Sequence, residues 1–144
     1  MPSVVRTVDV AVDPATAFAV FTDEIDDWYE RGPYSWNDPG RAIAIRFEEG
    51  RLLELYEQGE PYEMGRVTAW EPGRRLAFVY RNVHLPLEGT VVEVRFDAVE
   101  GGTRVTLEHR GLEALPSEEY ETWRRRAWVR LMEVYAEYVG GSTS

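Results

Sequence analysis

Six short runs in which apolar and polar residues alternate follow one another between positions 41 and 112. Such alternation is typical of strands with one buried face. The predicted strands cover 41–48, 51–58, 62–71, 74–82, 88–98 and 103–112. The gaps between them hold turn formers, such as Glu71-Pro72-Gly73, and are too short for helical crossovers. We therefore predict an antiparallel meander, preceded by one further strand at 4–12.

The alternation predicts one apolar face and one solvated face for this sheet of about seven strands. The residues predicted to point inward are Ile43, Ile45, Phe47, Leu53, Leu55, Leu76, Phe78, Tyr80, Val92, Val94, Phe96, Val105 and Leu107. The strand at 62–71 is ambiguous. There, Val67 and Ala69 compete with Met64, Thr68 and Trp70 for the inner face.

Two short helices are predicted directly after the first strand. Asp13 followed by Pro14 is a typical helix start, and helical spacing then places Ala17, Phe18 and Phe21 on one face. The segment 23–29, DEIDDWY, predicts the second helix.

The segment 117–139 predicts a long amphipathic helix that ends at Gly140-Gly141. Its predicted inward stripe consists of Tyr120, Trp123, Ala127, Leu131, Val134 and Tyr138. Seven strands span about 34 Å, whereas one helix is about 10–12 Å across. The sheet must therefore curl around the helix, and the curl predicts an apolar cavity at one end, which is the usual place for a small molecule.

Composition narrows the function classes. The chain of 144 residues, with a net charge of −10, fits a single domain at 1–144 and argues against nucleic acid and anionic membranes as partners. Cysteine and lysine are absent, which excludes thiolate and Schiff-base chemistry. No run is long and apolar enough for a membrane span, and no secretory signal is evident, so we expect a cytoplasmic protein.

Three stretches carry a family resemblance. GRVTAWEPGRRLAFVY (65–80), GGTRVTLEHRGL (101–112) and VAVDPATAFAVFTD (10–23) resemble motifs of the SRPBCC, or START/Bet v-like, superfamily, nearest its heat-shock-chaperone ATPase activator subgroup. In this resemblance, Tyr80 stands where the family commonly has tryptophan. The resemblance implies an α+β helix-grip fold, in which a curved antiparallel sheet wraps around the long C-terminal helix.

The candidate site residues are side chains that the alternation along each strand places on the inner face of the sheet. His109 continues the parity of Val105 and Leu107 and would act as a hydrogen-bonding or proton-transfer group, or be a packed core histidine. Glu57 continues the parity of Leu53 and Leu55, or else lies in water near Gly59. The full set of predicted ligand-binding residues is Trp28, Phe47, Leu55, Glu57, Phe78, Tyr80, His109, Trp123 and Ala127. His84 has no second histidine at ligand spacing, so neither a metal nor a cofactor is predicted.

The first functional hypothesis is binding of a small apolar or aromatic molecule between the sheet and the C-terminal helix. One alternative is a cyclase- or lyase-type enzyme on an aromatic or polyketide-like substrate, with His109, Tyr80 and Glu57 as acid and base groups. The subgroup resemblance implies another, a co-chaperone-like regulator of a heat-shock ATPase. A homodimer or a protein partner is left open.

Overall fold

The computed structural model describes residues 3–29, 42–56, 60–80, 90–111, 118 and 128–139. Its elements are β1 (Ser3–Val10), α1 (Pro14–Asp23), α2 (Ile25–Trp28), β2 (Ala42–Glu48), β3 (Arg51–Tyr56), β4 (Tyr62–Glu71), β5 (Arg75–Tyr80), β6 (Thr90–Val99), β7 (Gly102–Arg110) and α3 (Val129–Val139). Every predicted strand and both predicted short helices are present.

The strands form one antiparallel sheet in the order β1-β7-β6-β5-β4-β3-β2. The meander from β2 to β7 is confirmed, and β1 returns to pair with the last strand, with Val4 opposite His109. Residues from the inner face of the sheet and from all three helices share one apolar core. This arrangement is the predicted helix-grip fold.

The short helices cover part of the concave face. Ala17, Phe18 and Phe21 of α1 are buried, as predicted. In α2, Asp26 Oδ1 accepts a hydrogen bond from the backbone N–H of Ile45 at 3.0 Å. Because β2 is an edge strand, this bond occupies a main-chain donor and ties α2 to the rim of the sheet.

The inward stripe of α3 differs from the predicted one. Its buried residues are Met132, Tyr135 and Ala136, and the buried Trp128, directly before the helix, continues their helical spacing. Leu131 and Val134, both predicted to be in the stripe, lie half-buried at its sides. The prediction for Tyr138 is wrong, because its ring is 44% exposed and its hydroxyl donates to Glu24 at 2.8 Å. Tyr120, Trp123, Ala127 and the predicted start at Ser117 lie outside the described residues.

The predicted inward face of β3 is also wrong. Ile45 pairs with Glu54 and Phe47 pairs with Leu52, and cross-strand partners share a face. Glu54 and Leu52 therefore point inward with the core residue Ile45. Leu53 and Leu55 therefore share the convex side. The sequence could not show this, because the adjacent leucines Leu52 and Leu53 fit either face, and both are buried in the structure.

Two shifts in pairing register resolve the ambiguity of β4. One lies between the pairs Leu52–Gly65 and Leu53–Glu63, and Met64 is fully buried there. The other lies between Val67 and Ala69. An extra residue at each shift changes which side chains face the core. Each of the two alternative assignments of the inner face is therefore correct over part of β4.

The convex face is charged. Glu93 accepts from Arg75 at 2.7 Å, from Arg95 at 2.9 Å and from Arg110 at 3.2 Å. The hydrogen bond from Arg75, with those from Arg110 and Arg95, holds the pKa of the Glu93 carboxyl below its usual value. This face is the solvated one that the alternation predicted.

Gly65 gives a test of the packing between β4 and β5. A Cβ at this position would lie 2.7 Å from Cδ2 of Phe78. We expect Gly65→Ala to lower the free energy of unfolding by about 1–3 kcal/mol, because the ring must move within a packed core. Urea unfolding measures the loss. The smaller leucine in the double variant Gly65→Ala/Phe78→Leu leaves room for the new methyl group. The double variant should therefore lose less unfolding free energy than the two single variants lose together. If the two single losses simply add, the contact between Gly65 and Phe78 is contradicted.

Candidate functional site

Polar side chains gather at one end of the concave face. Glu54 lies near the end of β3, Tyr80 at the end of β5 and His109 near the end of β7. Alternate strands of an antiparallel meander end at the same edge, so these three side chains share one end of the cup. All three are fully buried. The opposite end holds the hairpin turns between β2 and β3, β4 and β5, and β6 and β7.

His109 is held by Trp128. The indole Nε1–H donates to His109 Nδ1 at 3.1 Å, so the neutral imidazole carries its proton on Nε2. The ring of Tyr80 packs edge-on against both, with centroids 5.1 Å from His109 and 5.2 Å from Trp128. The structure thus brings the predicted residues His109 and Tyr80 together, with an unpredicted third partner from the C-terminal helix.

Trp128 has a backbone conformation that side-chain-bearing residues rarely adopt. Its φ is +68°, in the left-handed region, and its carbonyl accepts the first described helical bond of α3, from Met132 at 3.0 Å. Such a residue costs about 1–3 kcal/mol and persists where the surroundings over-determine it. The bond to His109 and the contact with Tyr80 are among the interactions that hold the indole in place.

Burial sets the protonation of the histidine. Desolvation lowers the pKa of His109 from 6.5 to about 4, the direction expected for an imidazole in an apolar cavity. The carboxylate predicted to oppose this shift, Glu57, lies outside the described residues. At neutral pH His109 is therefore an uncharged ring.

A carboxyl group that the sequence reasoning missed lies at the same end. Glu54 is fully buried, and its Oε1 accepts from the Tyr56 hydroxyl at 2.6 Å. Burial raises the pKa of Tyr29, with smaller electrostatic contributions from Tyr80 and Glu54. Tyr29 is thus within electrostatic reach of both Glu54 and Tyr80. The available signal was the pairing of β3 with Ile45 and Phe47, which puts Glu54 on the core side.

Aromatic rings extend the site from its polar end toward the hairpin turns. Phe78 contacts Tyr80 at 6.5 Å between centroids and Phe47 at 6.2 Å. Phe47 then contacts Trp70, at 5.7 Å, and the Trp70 ring is 43% exposed. Phe47 and Phe78, both predicted site residues, therefore belong to one continuous apolar wall with an exposed indole at its far end.

Two more of the predicted site residues are described by the structure, and neither lies along the aromatic wall. Trp28 is buried, donates from Nε1 to the Val20 carbonyl at 3.0 Å and packs on Tyr135, so it lies in the core under α2. Leu55 pairs with Ala44 on the convex side, which contradicts its predicted place in the cavity wall. Three predicted site residues lie outside the described residues: Glu57, Trp123 and Ala127. His84, at which no metal was predicted, lies outside them too.

A second concave region lies on the far side of the molecule. This open groove of about 570 Å³ runs between β1 and the turn joining β6 to β7. Its polar wall contains Asp9 and Arg104, which already pair with each other through two hydrogen bonds at 3.0 and 3.2 Å. Within the described ranges, no three His, Cys, Asp or Glu side chains group closely enough to hold a metal ion.

The family follows from comparison with known proteins. The family model of "Activator of Hsp90 ATPase homolog 1-like protein" matches residues 11–140, so the chain belongs to this family. At the level of sequence, no curated protein matches the chain. None of the helices in the described part of the chain is both long and apolar enough to cross a membrane.

Solved structures share the fold. Protein MLL2253 from Mesorhizobium loti is 18% identical with a TM-score of 0.69, and 96% of each chain is covered. The Aha1 dimer from Colwellia psychrerythraea is 13% identical with a TM-score of 0.64, again over 96% of each chain. DynU16, from the dynemicin biosynthetic locus, is 17% identical with a TM-score of 0.66 over 97% of this chain and 48% of its own. At such low sequence identities, these structural matches show that the fold is shared and nothing more.

The buried histidine predicts a pH-dependent stability. Between pH 6.5 and about 4 the unfolded chain binds a proton at His109 that the folded protein does not. This contribution to stability is complete above pH 6.5 and is lost as the pH falls, by about 1.4 kcal/mol per pH unit in the window.

Urea unfolding at several pH values compares the stability of the wild type with that of His109→Gln. Glutamine keeps an acceptor for the Trp128 indole but does not titrate. The wild type should lose more stability on acidification than the variant. Parallel curves would mean that His109 titrates near its ordinary value.

Proposed function

We propose that this protein binds a small aromatic molecule in the space between the concave face of the sheet and the C-terminal helix. One observation carries the proposal: an aromatic wall ends in a group of buried polar side chains. Phe47 and Phe78 lie along the wall, and Glu54, Tyr80 and His109 lie at its end. Apolar sites with a few fixed polar groups are the usual form of small-molecule sites.

The polar end supports orientation of a ligand. Glu54 and His109 are buried, and each accepts a hydrogen bond that fixes its side chain, so their positions are set before a ligand arrives. A ligand with one polar group and an aromatic body satisfies both ends of the wall. Its polar group would meet His109 and Tyr80, and its ring would lie along Phe78.

A second candidate function is catalysis, as a cyclase or lyase on an aromatic or polyketide-like substrate. The contact between Tyr80 and His109, at 5.1 Å between ring centroids, favours it because two groups capable of proton transfer stand side by side. Glu54 takes the role first assigned to Glu57. DynU16, which shares the fold, is encoded in a biosynthetic locus, and that setting is the support it gives to this candidate.

A co-chaperone role would use the outer surface instead. The family name and the fold shared with the Aha1 dimer favour a protein partner or a second copy of the chain. In that role, ligands of the interior would be irrelevant, and substitutions at His109 or Tyr80 would act only through stability. A cytoplasmic location fits each of the three candidates.

Native mass spectrometry of freshly purified protein, followed by titration with 2-naphthol, tests the proposal. We expect a retained small molecule or saturable 2-naphthol binding. His109→Phe should weaken 2-naphthol binding by about 3–10-fold, the value of one hydrogen bond. A retained molecule whose mass changes on incubation would favour catalysis.

Glu108→Gln is the matched control, because Glu108 lies on the same strand but points to the convex face, where it pairs with Arg110. Circular dichroism checks folding of each variant, and Tyr80→Phe replaces His109→Phe if the latter unfolds. Absence of a retained molecule and of naphthol binding, or equal binding by all variants, would contradict the proposal.

A further inference from the structure

The protonation pattern of the His109 imidazole is set by a group that can donate but cannot accept. The Trp128 indole Nε1–H donates to His109 Nδ1 at 3.1 Å, and both residues are buried. An indole N–H has no lone pair to offer, so Nδ1 must stay unprotonated for this bond to exist. A proton on Nδ1 would place two N–H groups against each other in the interior, where the lost bond is costly. Trp128 therefore holds the neutral ring in the tautomer that is protonated on Nε2.

The indole that makes this bond is held through both its backbone and its ring. The Trp128 carbonyl accepts from the backbone N–H of Met132 at 3.0 Å, which ties Trp128 to the start of α3. The Tyr80 ring packs edge-on against the indole and the imidazole, at 5.2 and 5.1 Å between centroids. The centroids of the His109 and Trp128 rings are 5.6 Å apart, with 79° between their planes. Neither ring can turn without breaking contacts in a packed interior.

The protonated nitrogen of His109 is directed into the cup. His109 lies opposite Val4 of β1 and Val92 of β6, which are both fully buried, so its side chain is on the concave face of the sheet. The imidazole is attached through Cγ, next to Nδ1, and Nε2 is the ring nitrogen farther from the strand. Because Nδ1 faces Trp128, the Nε2–H bond is directed away from the indole and toward the interior.

We infer that Trp128 is a positioning residue that makes His109 a hydrogen-bond donor to the ligand, and that the site selects aromatic molecules whose polar group is an acceptor, such as a ring ketone. The inference rests on the proposed binding function and names its ligand class. A carbonyl oxygen accepts from Nε2–H, whereas a ligand N–H would meet a second N–H and lose its hydrogen bond to water without replacement. The tautomer that could accept from such a ligand is the one that Trp128 disfavours.

Three bicyclic molecules of similar size test the selection. 1-Indanone carries an acceptor, indole carries a donor and indene carries neither. Their dissociation constants are measured by NMR titration at pH 7, where His109 is uncharged. We expect the wild type to bind 1-indanone about 3–10-fold more tightly than indene, the value of one net hydrogen bond, and to bind indole no more tightly than indene.

Trp128→Phe tests the role of the indole, because it removes the donor and keeps an aromatic ring. His109 can then carry its proton on either nitrogen, so Nε2 can accept from the indole ligand. The affinity for indole relative to indene should rise at least about twofold. Trp28→Phe is the matched control, since it removes another buried indole N–H, which donates to the Val20 carbonyl at 3.0 Å under α2. It should leave the ratio unchanged, which separates loss of the donor from loss of stability.

The tautomer is read directly in the ligand-free protein. The two-bond proton–nitrogen spectrum of the imidazoles distinguishes protonated from unprotonated ring nitrogens. The chain has two histidines, so comparison with His84→Gln assigns the His109 signals. We expect Nε2 protonated and Nδ1 unprotonated in the wild type and in Trp28→Phe, and shifts averaged between the two tautomers in Trp128→Phe. A role of Trp128 in packing alone would leave the tautomer unchanged.

The outcomes are separable. A proton on Nδ1 in the wild type, indole bound more tightly than indene, or 1-indanone bound no more tightly than indene would overturn the inference while leaving the binding function in place. So would an unchanged tautomer or an unchanged ratio in folded Trp128→Phe. If that variant does not fold, the tautomer and the ligand order of the wild type decide the matter. Failure of 2-naphthol, 1-indanone, indole and indene alike to bind would instead overturn the proposed function itself.

Discussion

A single helix is too narrow to cover a seven-stranded sheet, and the rest of the structure follows from that constraint. The sheet is about 34 Å wide and a helix about 10–12 Å across, so the sheet curves and additional groups must cover its concave face. Phe18 and Phe21 of α1 reach Phe96, at 5.3 and 6.0 Å between centroids, and Tyr135 of α3 reaches Phe21 at 5.1 Å. Large rings thus fill one end of the cup.

The other end is closed by polar groups, and there the C-terminal helix is held by an interaction of a different kind. Trp128 donates to His109 while its backbone occupies the left-handed region. The strain, about 1–3 kcal/mol, is offset by a buried hydrogen bond and by packing on Tyr80. Stability and the candidate site therefore share residues, so a ligand bound at His109 would also act on Trp128, directly before α3.

The sequence predicted the elements well because each strand is short, alternating and bounded by turn residues. Its errors arose where periodicity has two solutions. The adjacent leucines Leu52 and Leu53 allow either parity for β3, and the cross-strand partner Ile45 decides between them. On the C-terminal helix, two stripes one residue apart are both apolar. The larger rings of Trp128 and Tyr135 take the inner side.

The candidate site inherited these errors. His109 and Tyr80 were found because their strands alternate cleanly, and the direction of the histidine pKa shift followed from burial alone. Glu54 was missed because the predicted parity of β3 placed its side chain on the solvated face, whereas the structure places it on the core side. Trp128 was missed because the predicted stripe lay one residue away from it, and no pattern of apolar residues predicts the positive φ that it adopts. Partner strands and backbone conformation thus supplied what spacing could not.

The most direct test is the indole N–H region of the proton–nitrogen NMR spectrum during titration with 2-naphthol. The resonances of Trp128 and Trp70 are assigned from their loss in Trp128→Phe and Trp70→Phe. A ligand at the polar end should shift the Trp128 signal, because that N–H donates to His109 beside the site, and should leave the exposed Trp70 less affected. A shift confined to Trp70, or saturable binding that moves neither signal, would contradict a site at this end of the cup.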